Sequence, residues 1–143
     1  MPPVPQARLL ANAADQIRSL AAYLQKGGSP ELAFRGLRRQ VESIKEIHSN
    51  TVFTSMHSYK NLNRVRTALA NAAAAMEGHI DHLEDLIIQL EENPRDEKAL
   101  MSLALMAPEL KSIRFAPPLK DETVQTVSTN SRIPTLDNLD SDE

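Results

Sequence analysis

Residues 34–90 of this 143-residue chain read FRGLRRQVESIKEIHSNTVFTSMHSYKNLNRVRTALANAAAAMEGHIDHLEDLIIQL. Steps of three and four residues alternate through this stretch without a slip. Most of the positions that they select are apolar, although those between 48 and 58 are polar. This is the heptad spacing of a helix that buries one stripe against other helices. The register contains Phe34, Leu37, Val41, Ile44, His48, Thr51, Ser55, Ser58, Leu62, Val65, Leu69, Ala72, Met76, His79, Leu83, Leu86 and Leu90.

The centre of this stretch allows two interpretations. Because the two apolar halves share one register, residues 31–92 could form a single helix of roughly 60 residues, about 90 Å long. The alternative is a break near residues 49–58, where Ser, Thr and Asn are poor helix formers and Val52, Met56 and Tyr59 offer a shifted apolar line. The sequence leaves both open.

A shorter helix precedes the long stretch. Apolar spacing predicts it over residues 6–26, after a Pro-rich lead at residues 1–5. The pair Gly27-Gly28 ends it, and Ser29-Pro30-Glu31 combines a hydroxyl cap, a first-position proline and an acidic first turn. So short a connection predicts an antiparallel hairpin, in which Gly36 could mark a close contact between the two helices.

A last helix follows the long stretch. Asn93-Pro94 predicts its start, and the apolar positions predict a helix over about 94–106 that folds back, interrupted at Ala107-Pro108. Residues 116–143 have few large apolar side chains and many acids, which is typical of a disordered tail. The predicted fold is therefore all-α: a bundle or coiled coil over residues 6–115, with a long central helix and shorter antiparallel helices at each end.

Composition narrows the function classes. The chain has no Cys, which excludes a disulfide framework, a thiolate zinc site and a cysteine nucleophile. We recognise no signal peptide and no apolar run long enough to span a membrane, so we expect an intracellular protein, cytoplasmic or nuclear. Its net charge of −3 is uneven, since residues 31–66 are mainly basic and residues 77–97 mainly acidic.

No motif for catalysis or for a cofactor is present. We find no glycine-framed nucleophile, phosphate loop or dinucleotide fingerprint, and we expect a non-enzyme without a cofactor. His79 and His82, with acids nearby, resemble a metal cluster at first sight. The Glu-x-x-His spacing of di-iron bundles is absent, however, because Ile80 stands three residues after Glu77. We therefore expect no metal and interpret the histidines as polar positions that fix the packing register.

The main functional hypothesis follows from the apolar stripe, which one isolated helix cannot bury. It predicts an assembly subunit that pairs with a second copy or with a helical protein, and the charge asymmetry favours an antiparallel or oppositely charged partner. The sequence does not choose between homo- and hetero-oligomer. The expected contact residues are Leu62, Val65, Leu69, Ala72, Met76, Leu83, Leu86 and Leu90.

Two weaker signals remain. A basic face could bind nucleic acid, but the overall charge is negative and base-reading aromatic residues are lacking, so a solvated face is favoured. In the tail, apolar residues alternate with acids, as in a short motif that folds on a basic, grooved partner. The basic face comprises Arg35, Arg38, Arg39, Arg64 and Arg66, and the tail motif comprises Ile133, Leu136 and Leu139.

Overall fold

The computed structural model of the chain describes residues 5–57 and 63–117. It contains four α-helices, α1 (Pro5–Gln25), α2 (Pro30–His57), α3 (Asn63–Glu92) and α4 (Glu97–Lys111), and the described residues form no strand. The all-α helical bundle predicted from the sequence is confirmed. The first helix has its predicted bounds to within one residue, whereas residues 1–4 of the Pro-rich lead and residues 118–143 of the predicted tail lie outside the described residues.

The long central stretch is two helices and not one. Helix α2 ends at His57, α3 begins at Asn63, and the two pack against each other in antiparallel orientation. Arg38 of α2 forms an ion pair with Glu91 of α3, a pair that one continuous helix would hold about 80 Å apart. The single rod is therefore the wrong alternative. A break is present, a few residues beyond the predicted 49–58, and it lets each apolar half bury the other within one chain.

The turn between α1 and α2 follows the predicted signals. Gly27 has a φ of 88°, a left-handed conformation that glycine adopts without a Cβ penalty. The Ser29 hydroxyl accepts a hydrogen bond from the Leu32 amide at 3.4 Å as α2 begins at Pro30. A Cβ added to Gly36 would lie 3.0 Å from the side chain of Leu20, so the predicted close contact with the first helix is confirmed.

Helix α4 differs from its predicted bounds at both ends. Pro94 and Arg95 form a turn, and the cap is Asp96, whose carboxylate accepts a hydrogen bond from the Ala99 amide at 3.1 Å. At the other end Pro108 does not interrupt the helix, which continues to Lys111. Because proline has no N–H, the helix continues past Pro108 with one backbone hydrogen bond fewer.

The four helices close into a ring. Each helix packs against its neighbours in the chain, and α4 also packs against α1. Thus α1 covers the basic α2 and α4 covers part of the acidic α3, as the sequence predicted. The core is one continuous cluster, which Phe115, just after α4, extends. Its largest fully buried apolar side chains are Leu10, Ile17, Leu37, Ile44, Met76, Leu83, Ile87, Leu90, Leu103, Met106 and Leu110.

Candidate interaction surface

The residues predicted to contact a partner lie mostly in the core of the single chain. Six of them are buried: Leu69, Ala72, Met76, Leu83, Leu86 and Leu90. Val65 is half-buried against the same cluster, and Leu62 lies outside the described residues. A partner could reach this stripe only if the bundle opened, because α2 and α4 already cover it.

Among the described residues, two of the four seams between neighbouring helices are crossed by Lys or Arg ion pairs, and a third is crossed by a His–Glu contact. On the α2–α3 seam, Arg38 pairs with Glu91, and Lys45 Nζ lies 3.1 Å from Glu84 Oε2. The hydrogen bond and the charge of Glu84 raise the pKa of Lys45 above its ordinary value. These pairs place the basic α2 against the acidic α3, so the charge asymmetry of the sequence is matched within the chain.

The other two charged seams involve α4. On the α1–α4 seam, Lys111 Nζ lies 2.6 Å from Asp15 Oδ1. This hydrogen bond, with the charge of Lys111 and of Arg18, lowers the pKa of the Asp15 carboxyl despite some desolvation. On the α3–α4 seam, His79 Nδ1 lies 3.9 Å from Glu109 Oε1, an ion pair only when the imidazole is protonated. Both contacts join α4 to a neighbouring helix.

The α1–α2 seam is different, because no ion pair crosses it within the described part of the chain. Its one cross-helix side-chain hydrogen bond joins Gln6 Nε2 to Thr54 Oγ1 at 3.4 Å. A groove of about 290 Å³ runs along the seam, with buried Ala13 and Ile47 beneath it. We call it the α1–α2 groove. Its lining comprises Leu9, Asn12, Ala13 and Gln16 of α1, and Gln40, Ser43, Glu46, Ile47 and Asn50 of α2.

Large apolar side chains are exposed beside this groove. Leu9 lines it, and Phe53 follows one helical turn after Asn50 with 61% of its surface exposed. Met56 is one further turn along α2 and is also exposed, while His57 stacks on the Phe53 ring at a centroid distance of 4.0 Å. Glu46 is the only charged residue among those that line the α1–α2 groove. Depletion of charge together with exposed aromatic and methionine side chains is typical of the centre of a protein interface.

Sequence reasoning missed this surface because it followed the strongest register. The signal in the sequence is sparse: Leu9 and Tyr23 are two heptads apart on α1, and Leu32 and Phe53 are three heptads apart on α2. These four apolar residues lie off the core stripe, and all are exposed in the structure. The heptad positions between them are Gln16, Arg39 and Glu46, so no continuous apolar stripe in the sequence indicated this second face.

The structure does not bring the five arginines of the predicted basic face together. Arg35, Arg38 and Arg39 lie on the first turns of α2, level with Glu91 near the end of α3. Arg64 and Arg66 lie on the first turn of α3, about 40 Å from Glu91 along the helix axis. Glu91 also pairs with Arg38. The arginines thus form two separate groups, and the first borders an acidic helix.

The remaining predicted signals are placed as follows. His79 is half-buried and His82 exposed on α3. Within residues 5–57 and 63–117, no group of three or more His, Cys, Asp or Glu side chains is arranged to hold a metal ion. No helix among these residues is long and apolar enough to cross a membrane. The tail motif, Ile133, Leu136 and Leu139, lies outside the described residues.

Comparison of the chain with protein-family models, with curated proteins and with solved structures finds no match.

Proposed function

We propose that this protein is a non-enzymatic helical assembly subunit, which joins a second copy or another protein through the α1–α2 groove. The observation that carries the proposal is the contrast between the four seams. Two are crossed by Lys or Arg ion pairs and a third by the His79–Glu109 contact, whereas the α1–α2 seam is nearly uncharged and is flanked by exposed Leu9 and Phe53.

The expected partner is a helix with an apolar or small uncharged face. A shallow groove between two antiparallel helices accepts the side-chain ridge of a third helix, and the small Ala13 side chain beneath the groove allows close approach. A charged docking face would be disfavoured, because its charges would lose water in a groove where only Glu46 is charged. Asn12, Gln16 and Asn50 would supply hydrogen bonds at the rim.

The proposal differs from the hypothesis drawn from the heptad pattern in where the partner docks. The class of function is the same, but Leu69 and Met76 are already used by the chain's own core. Replacing them would destabilise the bundle itself, so a loss of binding could not be assigned to a partner contact. Phe53 is the better probe because its side chain is largely exposed and contributes little to the core.

The test compares Phe53→Asp with Ile88→Asp. Both replace an exposed apolar residue with an acid, at 61% and 53% exposure, but Ile88 is on the outer face of α3. Self-association is measured by sedimentation velocity over a range of concentrations. A hetero-partner is identified by affinity capture from the native source with mass spectrometry, and is then tested for direct binding to the purified chain.

We expect Phe53→Asp either to abolish self-association or to abolish capture of one directly binding protein. Ile88→Asp should retain whichever interaction Phe53→Asp abolishes. Circular dichroism spectra should show that both variants stay folded. The proposal is wrong if the chain stays monomeric and no directly binding protein depends on Phe53.

A further inference from the structure

A second groove lies at the end of the bundle where the described chain stops. It runs between the first turns of α3, residues 63–71, and the segment 114–117 that follows α4, and its volume is about 590 Å³. Most of its surface is apolar and comes in part from Ala68, Ala116 and Pro117. We call it the C-terminal groove. Nothing in the proposed function uses it.

The wall formed by residues 114–117 is firmly anchored. Phe115 is buried in the core cluster, and Ile113 packs half-buried against the same cluster. The Ser112 amide donates to the carbonyl oxygens of Pro108 and Glu109, which closes the end of α4. This wall of the groove is thus tied to the bundle core through Phe115.

The charge of the groove is positive. Arg64 stands on the α3 wall and Arg114 on the opposite wall, and none of the lining residues is acidic. Asn63 and Asn71 add amide groups that can hydrogen-bond a peptide backbone. An apolar floor between cationic walls fits a peptide in which apolar side chains alternate with carboxylates.

The chain carries such a peptide beyond the groove. Residues 133–143 read IPTLDNLDSDE, with Ile133, Leu136 and Leu139 three residues apart, four acidic side chains and no basic one. The connection to them starts at the groove itself, because Pro117 is part of the lining. Closing a loop over residues 118–132 costs little more than closing a shorter one, and such a tether gives an effective concentration of about 1 mM.

We propose that residues 133–143 bind the C-terminal groove of the same chain, with Leu136 and Leu139 on the apolar floor and the neighbouring carboxylates between Arg64 and Arg114. Because the segment is tethered, an affinity of about 1 mM is enough for half-occupancy. Binding should weaken with salt, since the screening length falls from about 10 Å at 0.1 M to about 3 Å at 1 M.

The test uses the full chain with a nitroxide spin label at Asn138→Cys, a site-specific label because the natural sequence has no cysteine. Paramagnetic broadening of backbone amide signals is measured by NMR. We expect strong broadening at Ala68, Asn71 and Ala116 and none at Gly28, which lies in the turn between α1 and α2 at the far end of the bundle. Uniform or absent broadening would overturn the proposal.

Variants separate specific docking from chance contact. Leu136→Asp with Leu139→Asp should abolish the broadening. The matched control, Val124→Asp with Val127→Asp, makes the same change three residues apart in the connecting stretch and should retain it. Arg114→Glu should weaken it, and Arg95→Glu, in the turn before α4, should not. Equal effects of the two tail variants would count against the proposal, even if Arg114→Glu proved unstable.

A mixed sample identifies the chain that supplies the segment. Spin-labelled chain without ¹⁵N is added to ¹⁵N-labelled chain without a spin label. A second sample contains only chain that carries both ¹⁵N and the spin label. Broadening in that sample but not in the mixture supports docking within one chain. Broadening in the mixture overturns it. Because Phe53 and the α1–α2 groove take no part, failure here leaves the proposed assembly function untouched.

Discussion

The ammonium group of Lys45 lies 3.1 Å from the carboxylate of Glu84, so the middle of α2 faces the last third of α3. In one continuous helix these residues would be about 60 Å apart. With the pair Arg38–Glu91, this contact fixes the antiparallel register of the two helices. The charge asymmetry of the sequence therefore acts inside the chain, where it aligns two helices that share one heptad register.

The fold-back predicts a short distance between Glu42 and Gln89, two exposed positions on α2 and α3. Nitroxides at Glu42→Cys and Gln89→Cys should be within about 30 Å of each other, because packed helix axes are about 8–10 Å apart. One rod would separate them by about 70 Å. Pulsed electron paramagnetic resonance measures the distance directly.

A pair of rods in an antiparallel dimer would also give a short distance. The control is therefore a labelled sample diluted into excess unlabelled chain. We expect the short distance to persist on dilution, since both labels are on one chain. Its disappearance would show that α2 and α3 of different chains pair.

The sequence predicted the elements better than their arrangement. The caps at Ser29-Pro30 and the glycines at 27–28 are local signals, and they gave the α1–α2 hairpin correctly because a turn is set by its own residues. The heptad register does not specify whether the chain continues straight or folds back. Two halves in phase fit one rod or a hairpin equally well, and only side-chain pairs distant in sequence, such as Lys45–Glu84, decide between them.

The interaction surface was harder to predict for the same reason. Leu69 and Leu9 are both apolar residues on amphipathic helices, but Leu69 is covered by the folded chain and Leu9 is half exposed. Which stripe stays uncovered depends on the order of helices around the bundle. That order follows from the position of the break after His57, which the polar composition around residue 55 indicated only approximately.

Burial of the heptad stripe predicts that Leu83→Ala destabilises the single chain. Leu83 is fully buried, and removing its side chain should lower the free energy of unfolding by about 2–5 kcal/mol through lost burial and the cavity left behind. The matched control is Ile88→Ala on the exposed face of the same helix, with an expected effect within about 0.5 kcal/mol. Urea denaturation measures both. A small effect of Leu83→Ala would mean that the stripe is not buried in the monomer.

Two helical glycines provide a test of the α1–α2 contact. A Cβ at Gly78 would meet nothing within 4 Å, so Gly78→Ala should raise the free energy of unfolding by about 0.5–1 kcal/mol through better helix propensity. At Gly36 the same Cβ would lie 3.0 Å from Leu20, which must shift. Gly36→Ala should therefore stabilise less than Gly78→Ala.

The role of Leu20 is separated by a double-mutant cycle. In a Leu20→Ala background the added methyl group has room, so Gly36→Ala should recover the gain seen at Gly78. The free energies of unfolding of the four combinations of residues 20 and 36 are compared by urea denaturation. Equal gains from Gly36→Ala in both backgrounds would argue against the close contact between α1 and α2.

The ion pair between Asp15 and Lys111 predicts an acid-sensitive link between α1 and α4. The hydrogen bond from Lys111 lowers the pKa of the Asp15 carboxyl below its ordinary value of 3.8. A carboxyl whose pKa is lower in the folded state stabilises the fold above pH 3.8, and this stabilisation is lost as the pH falls through the lowered pKa. The wild-type protein should therefore be more stable than Asp15→Asn at pH 5, and this difference in stability should shrink as the pH falls to 2. Thermal unfolding measures it.

Lys111→Met supplies the matched control, because it keeps the aliphatic part of the side chain and removes the charge. It should show the same pH profile as Asp15→Asn, and combining the two changes should add little, since both remove one interaction. The side chains are about half exposed, so the effect should also shrink in high salt. If the stability difference between the wild type and Asp15→Asn is constant from pH 5 to pH 2, the carboxylate of Asp15 does not stabilise the packing of α4 on α1.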